Sequence, residues 1–197
     1  MTILVTGGCG FVGTALTRTL SHFIENIVLL DLIPPKLDLP NVTFIPTDIT
    51  DQMAVFEAFG NCPHQISCVF HVAGFGLAGT SNLPAYNGKT FDVNVNGTKN
   101  IIEACLKFNV KSLGKKLIFL LLLKSIILCL VFTSTVNVVF LGKEIINGTE
   151  ESHSWVNRVN QKHLDFYSET KNLAEKLVIE ANGKSNGKHV LKTCVLR

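Results

Sequence analysis

Tyr167 and Lys171 stand four residues apart in YSETK, a spacing that puts a phenol and an ammonium on one face of a helix. A free tyrosine titrates near pH ~10 and is a poor base at neutral pH, whereas a neighbouring Lys favours the phenolate and makes proton exchange feasible. Alone, such a pair is equally the mark of a plain surface contact. Its position helps, because it follows a strand candidate, VFTSTVNVVF, whose Ser134 and Thr135 bring a hydroxyl toward the same pocket. A hydroxyl that holds an oxygen, a phenol that exchanges its proton and a hydride acceptor nearby make a site for carbinol–carbonyl redox chemistry.

The acceptor would be held by Thr6-Gly7-Gly8-Cys9-Gly10-Phe11-Val12-Gly13, which lies where a first strand turns into a first helix. Glycines there permit the tight turn, let backbone N–H groups approach a pyrophosphate and bring helix and strand close together. Asp31 ends the second strand about 20 residues further on, where a carboxylate can accept hydrogen bonds from an adenosine ribose. An acid at that place repels a 2′-phosphate, which favours NAD over NADP. The plainer reading of Asp31, a strand-end acid capping the turn before Pro34, stands beside this one.

Elements to position these groups follow from the pattern of apolar residues. TILVT (2–6), NIVLLD (26–31), VTFIPTD (42–48), SCVFHVAG (67–74) and the closing HVLKTCVLR read as strands. Helical stripes begin at Phe11, run from Met53 to Phe59, from Thr90 to Phe108 and from Ser168 to Asn182. Strands alternating with helices predict an α/β fold, a Rossmann-type doubly wound parallel sheet with right-handed crossovers. His71 belongs to the fourth strand and reads as structural; His64, His153 and His163 have no spacing that suggests a metal.

Composition narrows the function classes. Charged residues are 17% of the chain and hydrophobic ones 47%, against a usual charged share of about 25%, which excludes disorder. A net charge of +3 gives no nucleic-acid footprint. Six cysteines without CxxC spacing read as ordinary thiols in a reducing compartment, and the chain enters its first strand without an apolar leader, so a cytoplasmic location is expected. Sequons at Asn41, Asn96 and Asn147 are then chance matches.

One segment breaks the rhythm: the stretch KSLGKKLIFLLLLKSIILCLVFTST far exceeds an ordinary helix-to-strand loop. Its run Leu117 to Phe132 is 16 residues with Lys124 near the middle, short of the about 20 that span a bilayer. Three readings remain, an added core helix, an interfacial membrane helix, or a non-native insertion of about 17 residues (roughly Gly114 to Leu130) that splits the fifth strand. The last is adopted, since its removal restores a normal loop.

TGGCGFVG, the Asp31 strand end, Asp48-Ile49, HVAG, NVNGT, TST and YSETK together resemble the extended short-chain dehydrogenase/reductases. VFHVAGFG, FTSTVNVVF, INGTEE and LKTCVLR are most similar to the 3-beta-hydroxysteroid dehydrogenase branch. The resemblance implies that Gly7, Gly10 and Gly13, with Phe11 and Val12 between them, bind the pyrophosphate of NAD. Asp31 would take the ribose, Asp48 and Ile49 the adenine, and Ala73, Gly74 and Asn94 would line or support the pocket. It implies Tyr167 as acid/base, Lys171 as the group that lowers its pKa and bonds the nicotinamide ribose, and Thr135, with Ser134 as the adjacent fallback, as the hydroxyl.

The implied reaction is NAD-dependent oxidation of a steroid or sterol alcohol, a small-molecule substrate. A sugar-nucleotide epimerase or dehydratase, which uses the same loop and pair, and a truncated NAD-binding isoform without turnover are the alternatives. Family members continue beyond the Leu-Arg strand into a substrate lobe, so residues 1–197 are expected to be one NAD-binding domain without it. Association with a membrane surface, including that of the endoplasmic reticulum, and a homodimer are left open.

Overall fold

The computed structural model describes residues 2–36, 38–76, 83–110, 130–140, 142, 144–149, 163–187 and 189–197. Six strands, β1 (Thr2–Thr6), β2 (Asn26–Asp31), β3 (Val42–Pro46), β4 (Ile66–His71), β5 (Leu130–Thr133) and β6 (Thr193–Leu196), form one sheet in the order β3-β2-β1-β4-β5-β6. Every pairing is parallel. The chain leaves β1 toward β2 on one side and returns to β4 on the other, so the strand order reverses between β1 and β4. In open parallel sheets such a reversal leaves a crevice at the carboxyl ends of the strands.

Helices cover both faces, as the two-sided burial of the strands requires. Ile3 and Val5 of β1 and Ile27 and Leu29 of β2 pack with Leu20 of α1 (Phe11–Ser21) and with Ile24. The alternate residues Leu4, Val28 and Leu30 face the other way. They join Val69 and Phe132 against α2 (Gln52–Gly60), α4 (Gly97–Lys107) and α5 (Phe166–Ala181) through Val55, Phe59, Ile101, Ala174 and Val178. Each such buried side chain is worth about 1.5–3 kcal/mol relative to exposure, which makes the sheet the rigid part of the molecule.

The expected doubly wound parallel sheet is present, and the differences are at element ends. The helix expected from Thr90 starts earlier: α3 (Asn87–Phe91) leads into one wide π turn at Asp92–Asn96 before α4. The strand expected over VFTSTVNVVF stops at Thr133. Thr135 caps a short 3-10 turn at Val136–Val138 by accepting the Asn137 amide, so local hydroxyl capping overrides the strand preference of the valines. Leu130, assigned above to the insertion, is instead the first residue of β5, paired with Val69 and Thr193. The remainder of that segment, 114–129, lies outside the described residues, as does His153. Among the described residues no helix is long and apolar enough to cross a membrane.

Candidate active site

The reversal point carries a cleft of about 470 Å³. Its floor is the turn after β1. Gly7 has φ +67°, and a Cβ there would stand 2.7 Å from the Ala73 backbone after β4. A Cβ on Gly13 would meet the Gly7 carbonyl oxygen and, at 2.7 Å, the Gly8 Cα. Only glycine lets the first turn of α1 sit this near β1. Gly10 caps α1 without a side-chain bond and no acid stands in the first turn, so the leading N–H groups of the helix are left for a ligand.

Asp31 completes the rim. Its Oδ2 accepts the Cys9 amide at 3.0 Å and its Oδ1 the Leu32 amide at 2.7 Å, which ties the end of β2 to the glycine turn and leaves carboxylate lone pairs for hydroxyl donors. Burial and the Asp31 charge push the Cys9 thiol up to about 11, so it stays protonated at neutral pH. Phe11, Val12, Asp48, Ile49, Ala73 and Gly74 line the same cleft. Asp48 holds its own turn through the Thr50 amide and hydroxyl. The sequence reading missed Phe75 and Lys89, which also line the cleft; Lys89 Nζ stands 4.6 Å over the Phe75 ring. Nothing in the local pattern distinguishes Lys89 from a solvated helix lysine.

Asn94 lies in the π turn, and the widening aims its amide inward rather than along the helix face. Its Nδ2 donates to the Phe75 carbonyl and to the Thr170 hydroxyl, both at 2.9 Å, and its Oδ1 accepts the Phe75 amide at 2.9 Å. Asn94 thus joins the loop after β4 to α5. A second buried chain runs alongside. The Thr98 hydroxyl donates to the Asn94 carbonyl, so it can only accept from His71; Nε2 of His71 carries the proton, and Nδ1 accepts from Thr6 at 2.6 Å. Burial, aided by the Lys171 charge, drives His71 down to about 3. This histidine is a neutral structural link.

On α5, Asp165 caps the helix by accepting the Ser168 amide and hydroxyl. Tyr167 and Lys171 follow on one face, as the spacing predicts. Lys171 is buried; its Nζ donates to the Thr133 carbonyl at 2.6 Å and stands 4.1 Å over the Phe132 ring. Burial lowers Lys171 to about 8, with Glu175 pulling the other way. Tyr167 is pushed above its ordinary value by burial and then by Asp165. The lowering of Tyr167 expected from Lys171 is therefore not the net balance here; desolvation and the nearby Asp165 set the direction.

The two candidate hydroxyls separate clearly. Ser134 is buried and donates to Glu175 Oε2 at 2.6 Å, so its proton is committed to that carboxylate. Thr135 accepts the Asn137 amide at 3.3 Å, which uses an oxygen lone pair and leaves its O–H proton to give. Glu175, fully buried and held by Arg197, was missed by the sequence reading.

The chain resembles known proteins along its whole length. It is 37% identical over 199 residues to "short-chain dehydrogenase/reductase family 42E member 1" of Mus musculus, covering all of this chain and 45% of the relative. It is 32% identical to a 3-beta-hydroxysteroid dehydrogenase of Mycolicibacterium neoaurum, covering 99% of this chain and 46% of that protein. The chain therefore spans about half the length of the curated relatives it matches. Among solved structures, the UDP-glucose 4-epimerase of Thermus thermophilus in complex with NAD superposes with a TM-score of 0.70 at 26% identity, covering all of this chain and 54% of that one. The model of one family matches residues 4–197, and on that match the chain belongs to the 3-beta hydroxysteroid dehydrogenase/isomerase family.

Proposed function

We propose that this chain is the cofactor-binding and acid/base part of an NAD-dependent oxidoreductase acting on the CH–OH group of a steroid or sterol. The observation that carries the reading is the placement of Lys171 and Thr135 at the carboxyl end of β5, across the sheet reversal from a turn that a Cβ at Gly13 would fill. That turn fits a pyrophosphate, and Asp31 fits an unphosphorylated ribose. NAD, when bound, supplies the hydride acceptor.

The chain's own groups do the rest. Gly7, Gly10 and Gly13 give backbone access, with Phe11 and Val12 at the start of α1. Asp48 and Ile49 flank the adenine, and Ala73 and Gly74 line the cleft wall. Asn94 holds that wall to α5, and Thr135 donates its hydrogen bond to the substrate oxygen. Tyr167 takes the proton from the carbinol hydroxyl. Lys171 bonds the nicotinamide ribose and supplies the positive charge that steadies the phenolate as it forms. The steroid class comes from the family and from the named mycobacterial relative.

A sugar-nucleotide substrate is the second reading, favoured by the likeness to the epimerase. Calorimetry tests the shared core: the chain is expected to bind NAD at least ~10-fold more tightly than NADP, because the 2′-phosphate would meet Asp31. Binding of neither cofactor overturns the proposal. Hydride transfer from sterol alcohols, followed by the absorbance of the reduced cofactor, against conversion of UDP-sugars then decides between the substrates.

A further inference from the structure

Glu175 is a buried charged group to which the reaction above gives no part. It stands one helical turn beyond Lys171 and two beyond Tyr167, so the three share one stripe of α5. Its carboxylate is wholly inside the protein. Oε2 accepts the Ser134 hydroxyl at 2.6 Å, and Oε1 accepts Arg197 Nε at 3.1 Å with Nη2 on the same oxygen. A carboxylate out of water persists only with such partners, and a fork of guanidinium donors is the best of them. The triad pins β5 to α5 at the point where Ser134 gives way to Thr135.

We propose that Glu175 is a positioning residue of the active site: its carboxylate holds the Ser134 hydroxyl, leaving Thr135 as the reacting hydroxyl, and places a negative charge one helical turn from Lys171. The inference rests on the functional reading above for its meaning. The contacts themselves do not depend on that reading. The titratable groups facing Lys171 among the described residues are Tyr167 and Glu175 of its own helix and neutral His71 of β4. From β5 it meets the Thr133 carbonyl and the Phe132 ring, beside Gly74 lies the neutral Asn94 amide, and Arg197 reaches it through Glu175. Glu175 is the negative charge in this set, and it opposes the burial that brings Lys171 to about 8.

Titrating the side-chain resonance of Lys171 in protein carrying isotopically labelled lysine, assigned by its loss in Lys171→Met, reads the effect directly. Glu175→Gln should lower the Lys171 midpoint by about one unit, while Glu175→Asp, which keeps the charge, should hold it near the wild-type value. Should Glu175→Gln fail to fold by circular dichroism, the double variant Glu175→Leu/Arg197→Met, which leaves no unpaired buried charge, carries a smaller fall of the same sign, because loss of the Arg197 cation offsets part of the lost attraction. A folded variant without the carboxylate whose Lys171 midpoint equals the wild type overturns the proposal. Calorimetry with NAD on the same samples keeps the two questions apart: a wild-type chain that fails to bind NAD while the midpoint shifts sinks the functional reading and leaves the role of Glu175 toward Lys171 standing.

Discussion

The two sides of the sheet reversal solve different problems with opposite means. On the β1–α1–β2 side the site is made by side chains that are missing. Gly7 and Gly13 let backbone lie against backbone, and a single carboxylate, Asp31, finishes the rim. On the β4–β5–β6 side it is made by side chains that are buried and bonded. Asn94, His71, Lys171 and Glu175 are all nearly inaccessible, and each has a partner from another element. Under the function proposed above, the first side would admit a large, fixed diphosphate shape, which demands space. The second, under the same proposal, would hold a phenol, an ammonium and a hydroxyl in register while excluding water, which demands connected polar networks in a low dielectric.

If this division is right, each side should break in its own way. The largest effect is expected from Gly13→Ala. The new Cβ would meet the Gly7 carbonyl and the Gly8 Cα, which are backbone atoms that cannot turn aside as a side chain would. Overpacking ordinarily costs about 1–3 kcal/mol, and a backbone clash belongs at or above the top of that range. Urea unfolding should show the loss, and calorimetry should find NAD binding abolished. A variant with wild-type stability and affinity would mean that the glycine turn does not limit the approach of α1.

Asn94→Ala should come next, from the other side. It removes Asn94 from the Phe75 amide and carbonyl, which water can partly satisfy because Phe75 is half-buried, and from the Thr170 hydroxyl, which still donates to the Tyr167 carbonyl; a buried group left wholly unsatisfied costs about 1–3 kcal/mol. We expect a total of about 2 kcal/mol. The damage should spread to α5, so amide exchange should quicken around Thr170 while α1 stays protected. Equal quickening on both sides would erase the division.

The same division explains what the sequence could and could not reveal. The glycine turn and Asp31 were readable because backbone geometry forces particular residue types to fixed offsets. Tyr167 and Lys171 were readable because a helix converts a spacing of four into a shared face. Glu175 and Arg197 were not, since they meet across 22 residues and a glutamate in a polar helix stretch gives no sign of being buried. Asn94 was reachable through the resemblance, but the π turn that aims it inward leaves no trace in the apolar pattern. The end of β5 was misread because valines argue for strand at every position, while one capping hydroxyl at Thr135 decided where the strand stops.

The smallest expected effect repeats the largest substitution in a different setting. Gly88 lies exposed in α3, and a Cβ there would meet nothing within 4 Å. Space is not what this glycine supplies, and its helical backbone suits alanine better. Gly88→Ala should therefore stabilise by about 0.5–1 kcal/mol, chiefly by restricting the unfolded chain. For a chain of this size that is a rise in Tm of roughly 1–4 °C, with NAD affinity unchanged. Because Gly13→Ala and Gly88→Ala add the same methyl, their opposite signs would isolate close backbone approach, and not glycine as such, as what the cofactor side requires. A loss of NAD affinity in Gly88→Ala would instead extend that side across the reversal into α3, where Lys89 lines the cleft.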